Sequence, residues 1–258
     1  MSEDVDLPDD IALLWGRRPA PRRGRRPSLS LGEITAAAVR VADAEGLGAV
    51  SMARVAAELG SATMALYRYV ASKDELLLLM SDAALEEPPA EPLAGEWRER
   101  VATWAREVLT VLRRHPWYRD VPIKGPPAGP CNLAWLDRGL AALEGLDIDE
   151  ADKLLIYLGV LPLVHGQMRL STDLQAGFAE DPEAFGARYG RVLAAIVDPV
   201  RMPALGRAVA AGVFGPPDGD PVDTGGAEAM EAEFEFALSC YLDGVEAFVS
   251  LRRGDAPG

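Results

Sequence analysis

The stretch that decides the fold is "SMARVAAELGSATMALYRYVASKDELL", which runs from Ser51 to Leu77. It contains two short helical segments separated by "GSA", followed by the start of another helix at "SKDE". Gly60 is expected to end the first segment, because glycine readily takes the left-handed conformation that follows many helices. Leu66 and Val70, four residues apart, are the buried pair of a helix from Thr63 to about Val70. Two short helices joined by a glycine-containing turn indicate a helix-turn-helix unit.

Start signals for three helices lie within or just before this stretch. "SLGE" (Ser30–Glu33) is a capping box, and Ser51 is placed to cap the helix "MARVAAEL". "SKDE" (Ser72–Glu75) is a second capping box, and it opens a helix that is expected to reach about Leu85. The first helix has one apolar face, formed by Ile34, Ala37, Ala38, Val41 and Ala42. Residues 30–86 are therefore predicted to form one small helical domain.

The remainder of the chain is predicted to be helical as well. "EEPPAEP" (Glu86–Pro92) reads as a turn or hinge, because consecutive prolines interrupt a helix. No segment alternates as a strand would over more than a few residues. Helical patterns fall near residues 95–114, 131–144, 148–171, 181–197 and 227–251, with a weaker one near 200–213. The fold class is therefore all-α, with a second and larger domain over residues 93–251.

Charge is distributed unevenly along the chain. The net charge is −14, yet residues 11–81 carry +4, whereas residues 82–258 carry −13. This asymmetry suggests a small basic module attached to an acidic one. The segment "GRRPAPRRGRRP" lies within residues 1–29, which we predict to be a disordered, arginine-rich arm. The short apolar "IALLW" (Ile11–Trp15) is the exception, since it suits an additional docked turn of helix.

Several classes of protein and site are disfavoured. No apolar run reaches the roughly 18 residues of a membrane span. The first ten residues are acidic rather than a basic leader. Cys131 and Cys240 lie far apart without ligand-like spacing. We therefore expect a cytoplasmic protein with no membrane partner, no cofactor and no metal site.

The outward-facing residues of the Thr63–Val70 helix suit a DNA contact. Small residues in the first turn allow close approach to a groove, where Thr63, Met64 and Ala65 would reach base edges. Arg68 suits a guanine edge or a phosphate, and the phenols of Tyr67 and Tyr69 are long enough to reach phosphates. Lys73, at the start of the next helix, adds a positive charge. The alternative for either tyrosine is half-burial against the first helix, and the choice between Arg68 and Tyr69 for a base contact remains open.

The run "ITAAAVRVADAEGLGAVSMARVAAELGSATMALYRYVASKDELLLLM" resembles the N-terminal DNA-binding domain of the tetracycline-repressor (TetR) family of transcriptional regulators. The resemblance covers roughly residues 31–80. It implies that Ser51 lies near a phosphate, that residues 63–65 read bases, and that Tyr67 and Lys73 contact phosphates. It further implies a homodimer that binds a palindromic double-stranded operator and is released by a small-molecule effector. For the arm, with Arg22, Arg23, Arg25 and Arg26, minor-groove entry and a merely non-specific gain in affinity both remain open.

In the second domain the resemblance is looser. "LEGLDIDEADKLLIYLGVLPLVHGQ" and "FEFALSCYLDGVEAFV" look like the tetracycline-repressor type of C-terminal domain, which supplies a dimer interface and a ligand pocket. The last helix carries an apolar stripe, for which a dimer interface and packing within one chain are the alternatives; its members are Phe234, Leu238, Tyr241, Leu242, Val245 and Phe248. Candidate ligand-binding residues are the aromatic and polar Trp104, Trp117, Tyr118, Asn132, Trp135, His165 and Met168. The magnesium-binding set of tetracycline-binding members has no convincing counterpart, and no metal ligand is predicted.

The competing hypothesis is an all-helical enzyme or small-molecule-binding protein in which the three-helix unit is only structural. The chain has two histidines, no paired catalytic motif and no phosphate-binding loop, so we predict that it is not an enzyme. A transcriptional activator with the same fold is a further alternative. The sequence indicates neither the effector nor the operator.

Overall fold

The structure is a computed structural model, and it describes residues 7–18, 29–122, 125–180, 187–214 and 227–253. Within these ranges the regular structure is entirely helical, which confirms the predicted all-α class. The helices are α1 (Asp9–Leu14), α2 (Leu31–Glu45), α3 (Met52–Glu58), α4 (Thr63–Leu66), α5 (Lys73–Ala83), α6 (Trp97–Arg113), α7 (Pro130–Ala141), α8 (Glu150–Glu180), α9 (Ala187–Ile196), α10 (Pro203–Ala210) and α11 (Ala227–Arg253). Two 3₁₀ turns, Leu47–Ala49 and Pro116–Asp120, follow α2 and α6.

The start and stop signals around α2 and α3 act as predicted. Ser30 and Glu33 form the complete capping box at the start of α2. The Ser51 hydroxyl accepts a hydrogen bond from the Arg54 backbone N–H at 3.1 Å and caps α3. Gly60, at φ +60°, ends α3 in a Schellman motif. The Gly60 N–H donates to the Ala57 carbonyl, and the Ser61 N–H donates to the Ala56 carbonyl. This turn directs the chain into α4.

Two details around α4 differ from the prediction. The α-helix ends at Leu66 rather than near Val70, because Tyr69 N–H bonds to the carbonyl three residues earlier, at Leu66, and tightens the last turn. Val70 and Leu66 are nevertheless both fully buried, as the apolar pattern predicted. The capping box at α5 is only half formed: Ser72 accepts from Glu75 N–H, but the Glu75 carboxylate accepts from the Ala71 N–H instead of that of Ser72.

Residues 1–29 are not wholly the disordered arm that we predicted. Asp9–Leu14 forms helix α1, and Leu13 is buried, because this short apolar segment docks on the small helical domain. Burial of an apolar side chain there offsets the entropy of ordering the segment. The four arginines singled out as candidate DNA contacts, Arg22, Arg23, Arg25 and Arg26, lie outside the described residues.

A single apolar core joins α1 to α5. Ile34, Val55, Leu66 and Leu76 are completely buried in it, and Trp117 from the turn after α6 packs into the same cluster. Each of the first five helices contributes apolar side chains to this core. The core therefore fixes α4 against α2 and α3.

The chain divides into two compact units. One runs to Leu161 and includes Arg252, and the other runs from Pro162 to Leu251. Helix α8 crosses this boundary with Pro162 inside it. Its Glu150–Leu174 part is long and apolar enough to span a membrane by length and composition alone, with a mean hydropathy of 1.2. Core helices of soluble proteins meet the same criterion, and Val160, Val164 and Met168 of this segment are buried within the chain.

Candidate DNA interface and its link to the second domain

Helix α4 and the turn that follows it present three large side chains to solvent. Met64 is 74% exposed and Tyr67 is 45% exposed, and Arg68 beside them is exposed as well. A single exposed apolar residue is ordinary, but exposed Met and Tyr beside a cation on so short a helix form a contact surface. The outward face of α4 is thus chemically suited to a groove with anionic walls.

The positive charges near this face differ in their partners. Arg54 on α3 is held by Glu45 and Glu58, at 2.6 and 3.1 Å. By contrast, no acidic side chain among the described residues forms an ion pair with Arg68 or Lys73, and both are exposed. A cation without an internal partner retains its full charge for a phosphate. Arg68 and Lys73 are therefore the available charges next to α4.

Arg68 and Tyr69 differ in their exposure to solvent. Tyr69 is half-buried and packs against the apolar core, as does Ala65 in the first turn of α4. Thr63 is also half-buried, whereas Ser51 at the start of α3 is exposed. Of the two residues between which the sequence could not choose, Arg68 has the free surface.

A buried carboxylate joins α5 to α7. Asp82, only 6% exposed, accepts hydrogen bonds from the backbone N–H and the side-chain amide of Asn132, both at 2.9 Å, and from Cys131 N–H at 3.3 Å. Gly129 caps α7 without a side chain, and a β-carbon there would lie 2.0 Å from the Asp82 carboxylate. Asp82 thus satisfies orphan N–H groups at the start of α7 and places a negative charge at the positive end of the helix dipole.

Further along α7, two side chains hold the segment after α5. The Trp135 indole N–H donates to the carbonyls of Leu85 and Glu86, at 3.0 and 3.2 Å. Glu86 adopts a left-handed conformation at φ +53°, which is costly for a residue other than glycine. Arg138 donates to the carbonyls of Pro89 and Glu91 and also forms a two-pronged ion pair with Glu107, each bond between 2.8 and 2.9 Å.

These contacts have a simple geometric origin. Asn132, Trp135 and Arg138 recur every three residues and so project from one side of α7. They hold Asp82, residues 85–86 and residues 89–91, which we name together the connector (residues 82–91). The sequence identified Asn132 and Trp135 as ligand-binding candidates but missed Asp82 and Arg138, because their partners lie about fifty positions away.

The remaining ligand-binding candidates are mostly inside the protein. Trp104 is 1% exposed, donates to the Trp135 carbonyl at 3.1 Å and packs on Tyr157 with ring centroids 5.1 Å apart. Trp117 packs into the core of the first five helices and donates to the exposed Asp43 of α2, and Tyr118 packs against the same core, where burial raises the pKa of its phenol to about 12. His165, whose pKa is lowered by burial, and the buried Met168 belong to the unit that begins at Pro162.

Two grooves lie along the connector. One, of about 580 Å³, runs between residues 87–93 and α7, and the other, of about 360 Å³, is lined by Trp135, Pro89 and residues of α6. Of the ligand-binding candidates, only Trp135 lines either groove. Within the described residues, no group of three His, Cys, Asp or Glu side chains is placed to hold a metal ion.

Helix α11 has a buried apolar stripe on one side, and on the opposite side it has exposed apolar residues that are interrupted by Asp243. The predicted stripe is largely inside the chain: Phe234, Leu238, Leu242 and Val245 are at most 5% exposed, and Tyr241 and Phe248 are half-buried. Packing within one chain, the alternative to a dimer interface, accounts for that burial. The other stripe, which we name the exposed stripe, consists of Phe236, Cys240, Ala247 and Leu251. At 100° per residue these four lie within about 60° of one another.

Comparisons with known proteins agree with this architecture. Residues 34–80 match the family described as bacterial regulatory proteins, tetR family, and residues 88–249 match the tetracyclin repressor-like C-terminal domain. The HTH-type transcriptional repressor DrrR1 of Streptomyces coeruleorubidus is 35% identical over 254 residues, which cover 97% of this chain and 90% of the relative. The HTH-type transcriptional repressor Rv1353c of Mycobacterium tuberculosis is 26% identical, covering 86% of this chain and 82% of that protein.

Solved structures show the same fold. Apo ActR from Streptomyces coelicolor superposes with a TM-score of 0.69 at 23% identity, covering 89% of this chain and all of that one. ActR in complex with actinorhodin gives a TM-score of 0.67 at 24% identity, covering 85% and 96% of the two chains. With both of its domains matched, the chain belongs to the TetR family of transcriptional regulators, which are DNA-binding proteins and not enzymes.

Proposed function

We propose that the protein is a cytoplasmic repressor that binds a palindromic operator as a homodimer and leaves it when a small molecule binds the second domain. The observation that carries the DNA-binding part is the pairing pattern beside α4. Arg68 and Lys73 are exposed without an ion-pair partner among the described residues, while Arg54 nearby is neutralised by two glutamates. An operator phosphate supplies the missing partner.

The roles within this surface follow from exposure. Met64 and Arg68, both exposed, are the side chains that contact base edges, and Thr63 and Ala65 allow close approach. Tyr67 and Lys73 are the phosphate contacts, and Ser51 lies at an exposed helix start. Tyr69 braces α4 from inside the core. The arginines at 22, 23, 25 and 26 add non-specific affinity.

The test is binding to the DNA upstream of the protein's own gene, compared with random DNA of equal length, over a series of salt concentrations. Lys73→Ala removes one phosphate contact and is expected to lower the salt slope by about 1. Tyr67→Phe removes an uncharged hydrogen bond, so affinity falls while the slope stays the same. Met64→Ala and Arg68→Ala are expected to change which bases are preferred.

Matched controls are available in the same chain. Tyr189, 46% exposed on α9, matches Tyr67 in exposure, and Lys153 on α8 is paired with Glu150 at 2.6 Å. Tyr189→Phe and Lys153→Ala are expected to bind DNA as the wild type does. Equal affinity for own-promoter and random DNA, or equal effects of the control and test variants, would refute the proposal.

A homodimer compensates for the shortness of the recognition helix, because its two copies of the helix read two half-sites. We place its interface on the exposed stripe of α11, since the opposite stripe is already buried within one chain. The small side chains of Cys240 and Ala247 permit close helix packing, and Phe236 and Leu251 supply apolar area.

For the effector, ActR is the precedent, since one of its structures holds actinorhodin. We propose that a small molecule bound in the second domain shifts α7, and that the connector carries this shift into α5 and α4. The three hydrogen-bonding side chains of α7 that hold the connector support this route. A ligand acts only as far as it favours one arrangement, typically by about 1–3 kcal/mol.

A further inference from the structure

The N-terminal helix α1 touches two separate places in the fold. Leu13 is buried in the core of the first five helices, and the Trp15 indole N–H donates to the Ala128 carbonyl at 2.9 Å. Ala128 lies in the loop that leads into α7, so α1 links the DNA-reading domain to the element that holds the connector. This contact spans 113 positions of sequence.

The segment after α1 is linked by side-chain contacts to the backbone that follows the recognition helix. Arg18 binds Glu75 with both prongs, at 2.8 and 3.0 Å, and Glu75 Oε2 accepts the Ala71 N–H at 2.7 Å. Ala71 is the residue after the buried Val70, five positions beyond the end of α4 at Leu66. Glu75 is therefore shared between the arginine that follows α1 and the backbone that follows the recognition helix.

The electrostatics support a persistent contact. Both side chains are largely shielded, at 28% and 18% exposure for Arg18 and Glu75. The hydrogen bonds from Arg18 lower the pKa of Glu75, and Glu75 raises the pKa of Arg18, so both remain charged. A two-pronged, partly shielded arginine–carboxylate pair has a defined geometry that an exposed single-contact pair lacks.

We propose that α1 is a strap that fixes the orientation of α4 relative to the loop before α7, with Trp15 and Arg18 as its positioning residues. Its path runs from Ala128 through Trp15, α1, Arg18 and Glu75 to Ala71, beside the route through α5. Residues 7–18 thus act on the DNA-reading face without contacting DNA.

Amide hydrogen exchange at Ala71 is the direct test, because this N–H bonds to Glu75 at the far end of the strap. Trp15→Phe keeps the ring but removes the donor to Ala128, and it is expected to speed exchange at Ala71 about fivefold, the effect of one lost hydrogen bond. Arg18→Gln is expected to do the same. Exchange at Val41, in the core of α2, should not change.

The controls and the opposing outcome are specific. Trp97→Phe at the start of α6 makes the same chemical change as Trp15→Phe outside the strap, and Arg17→Gln makes the same change as Arg18→Gln at a side chain that is not on the path to Glu75. If one opening releases the whole path, the effects of the two substitutions do not multiply. In the double variant Trp15→Phe/Arg18→Gln, the Ala71 amide should therefore exchange about as fast as in either single variant, and not about 25-fold faster than in wild type. If only Arg18→Gln affects Ala71, α1 is a local support of α5 and the strap is refuted. Leu13→Ala, which unseats α1, sets the largest effect to expect.

A second readout separates positioning from contact. Both strap variants are expected to weaken binding to own-promoter DNA without changing the salt slope, because no phosphate contact is lost. A changed slope would show that these residues touch DNA and would overturn the positioning role. The exchange measurement needs no DNA, so it stands or fails separately from the proposed function.

Discussion

Asp82 of α5 accepts hydrogen bonds from both nitrogen atoms of Asn132 at the start of α7, each at 2.9 Å. A carboxylate from one helix thereby caps another, in place of the missing side chain at Gly129. Because α5 begins beside the recognition helix, this one residue ties the start of α7 to the DNA-reading domain. Its burial makes the interaction sensitive to any change of charge or shape.

Replacing Asp82 by Asn is expected to destabilise the protein by about 1–3 kcal/mol. The new amide turns one acceptor into a donor that faces backbone N–H groups, and the charge at the helix N-terminus is lost. Urea unfolding measures the change. Asp137→Asn, at an exposed position of α7, is the control and should stay within about 0.5 kcal/mol of wild type. Similar values for the two variants would show that the cap contributes nothing.

Gly139 of α7 is expected to be intolerant of alanine. A β-carbon there would lie 2.7 Å from the Tyr157 ring and 2.9 Å from that of Trp104. Helix propensity alone would favour alanine by about 1 kcal/mol, but overpacking against two buried rings costs about 1–3 kcal/mol. Thermal unfolding should show a lower Tm for Gly139→Ala. Gly32→Ala, where nothing lies within 4 Å, should not lower it.

The outcome around these residues shows what the sequence could and could not predict. The roles of Ser30, Ser51 and Gly60 depend on neighbours within a few positions, so capping and turn patterns identified them correctly. Asn132 and Trp117 were recognised only as residues of a possible pocket. Their partners, Asp82 and Asp43, are 50 and 74 positions away, a separation at which periodicity carries no information.

The same reasoning applies to α11. Helical spacing correctly grouped Phe234, Leu238, Leu242 and Val245 on one face, but spacing does not reveal what covers a face. The chain itself covers this face. On α4, the pattern gave the buried pair of Leu66 and Val70, whereas the tightening at Tyr69 depends on local bonds that no residue type signals.

The Arg18–Glu75 pair is expected to give the stability a defined pH dependence. Because the pKa of Glu75 is lowered in the folded state, its contribution is fully present above its ordinary value of 4.5 and is lost as the pH falls through the folded-state pKa. The difference in free energy of unfolding between wild type and Glu75→Gln should therefore shrink below pH 4.5. Urea unfolding at a series of pH values measures it, with the exposed Glu144→Gln as control. A difference that stays constant in acid would contradict the lowered pKa.

Phe236 is expected to decide the oligomeric state. It is 72% exposed at the N-terminal end of the exposed stripe, which faces away from the chain's own core, so a charge there would have to be buried at a dimer interface without a partner. Phe236→Glu should convert a dimer into a monomer in sedimentation experiments and reduce operator affinity, whereas Phe236→Leu should preserve both. If Phe236→Glu remains dimeric, the interface lies elsewhere, and the exposed Leu155 of α8, at 62%, is the next residue to test by Leu155→Glu. Because two linked half-sites bind more tightly than one, a monomer with an intact α4 should bind DNA with the wild-type preference for bases but lower affinity.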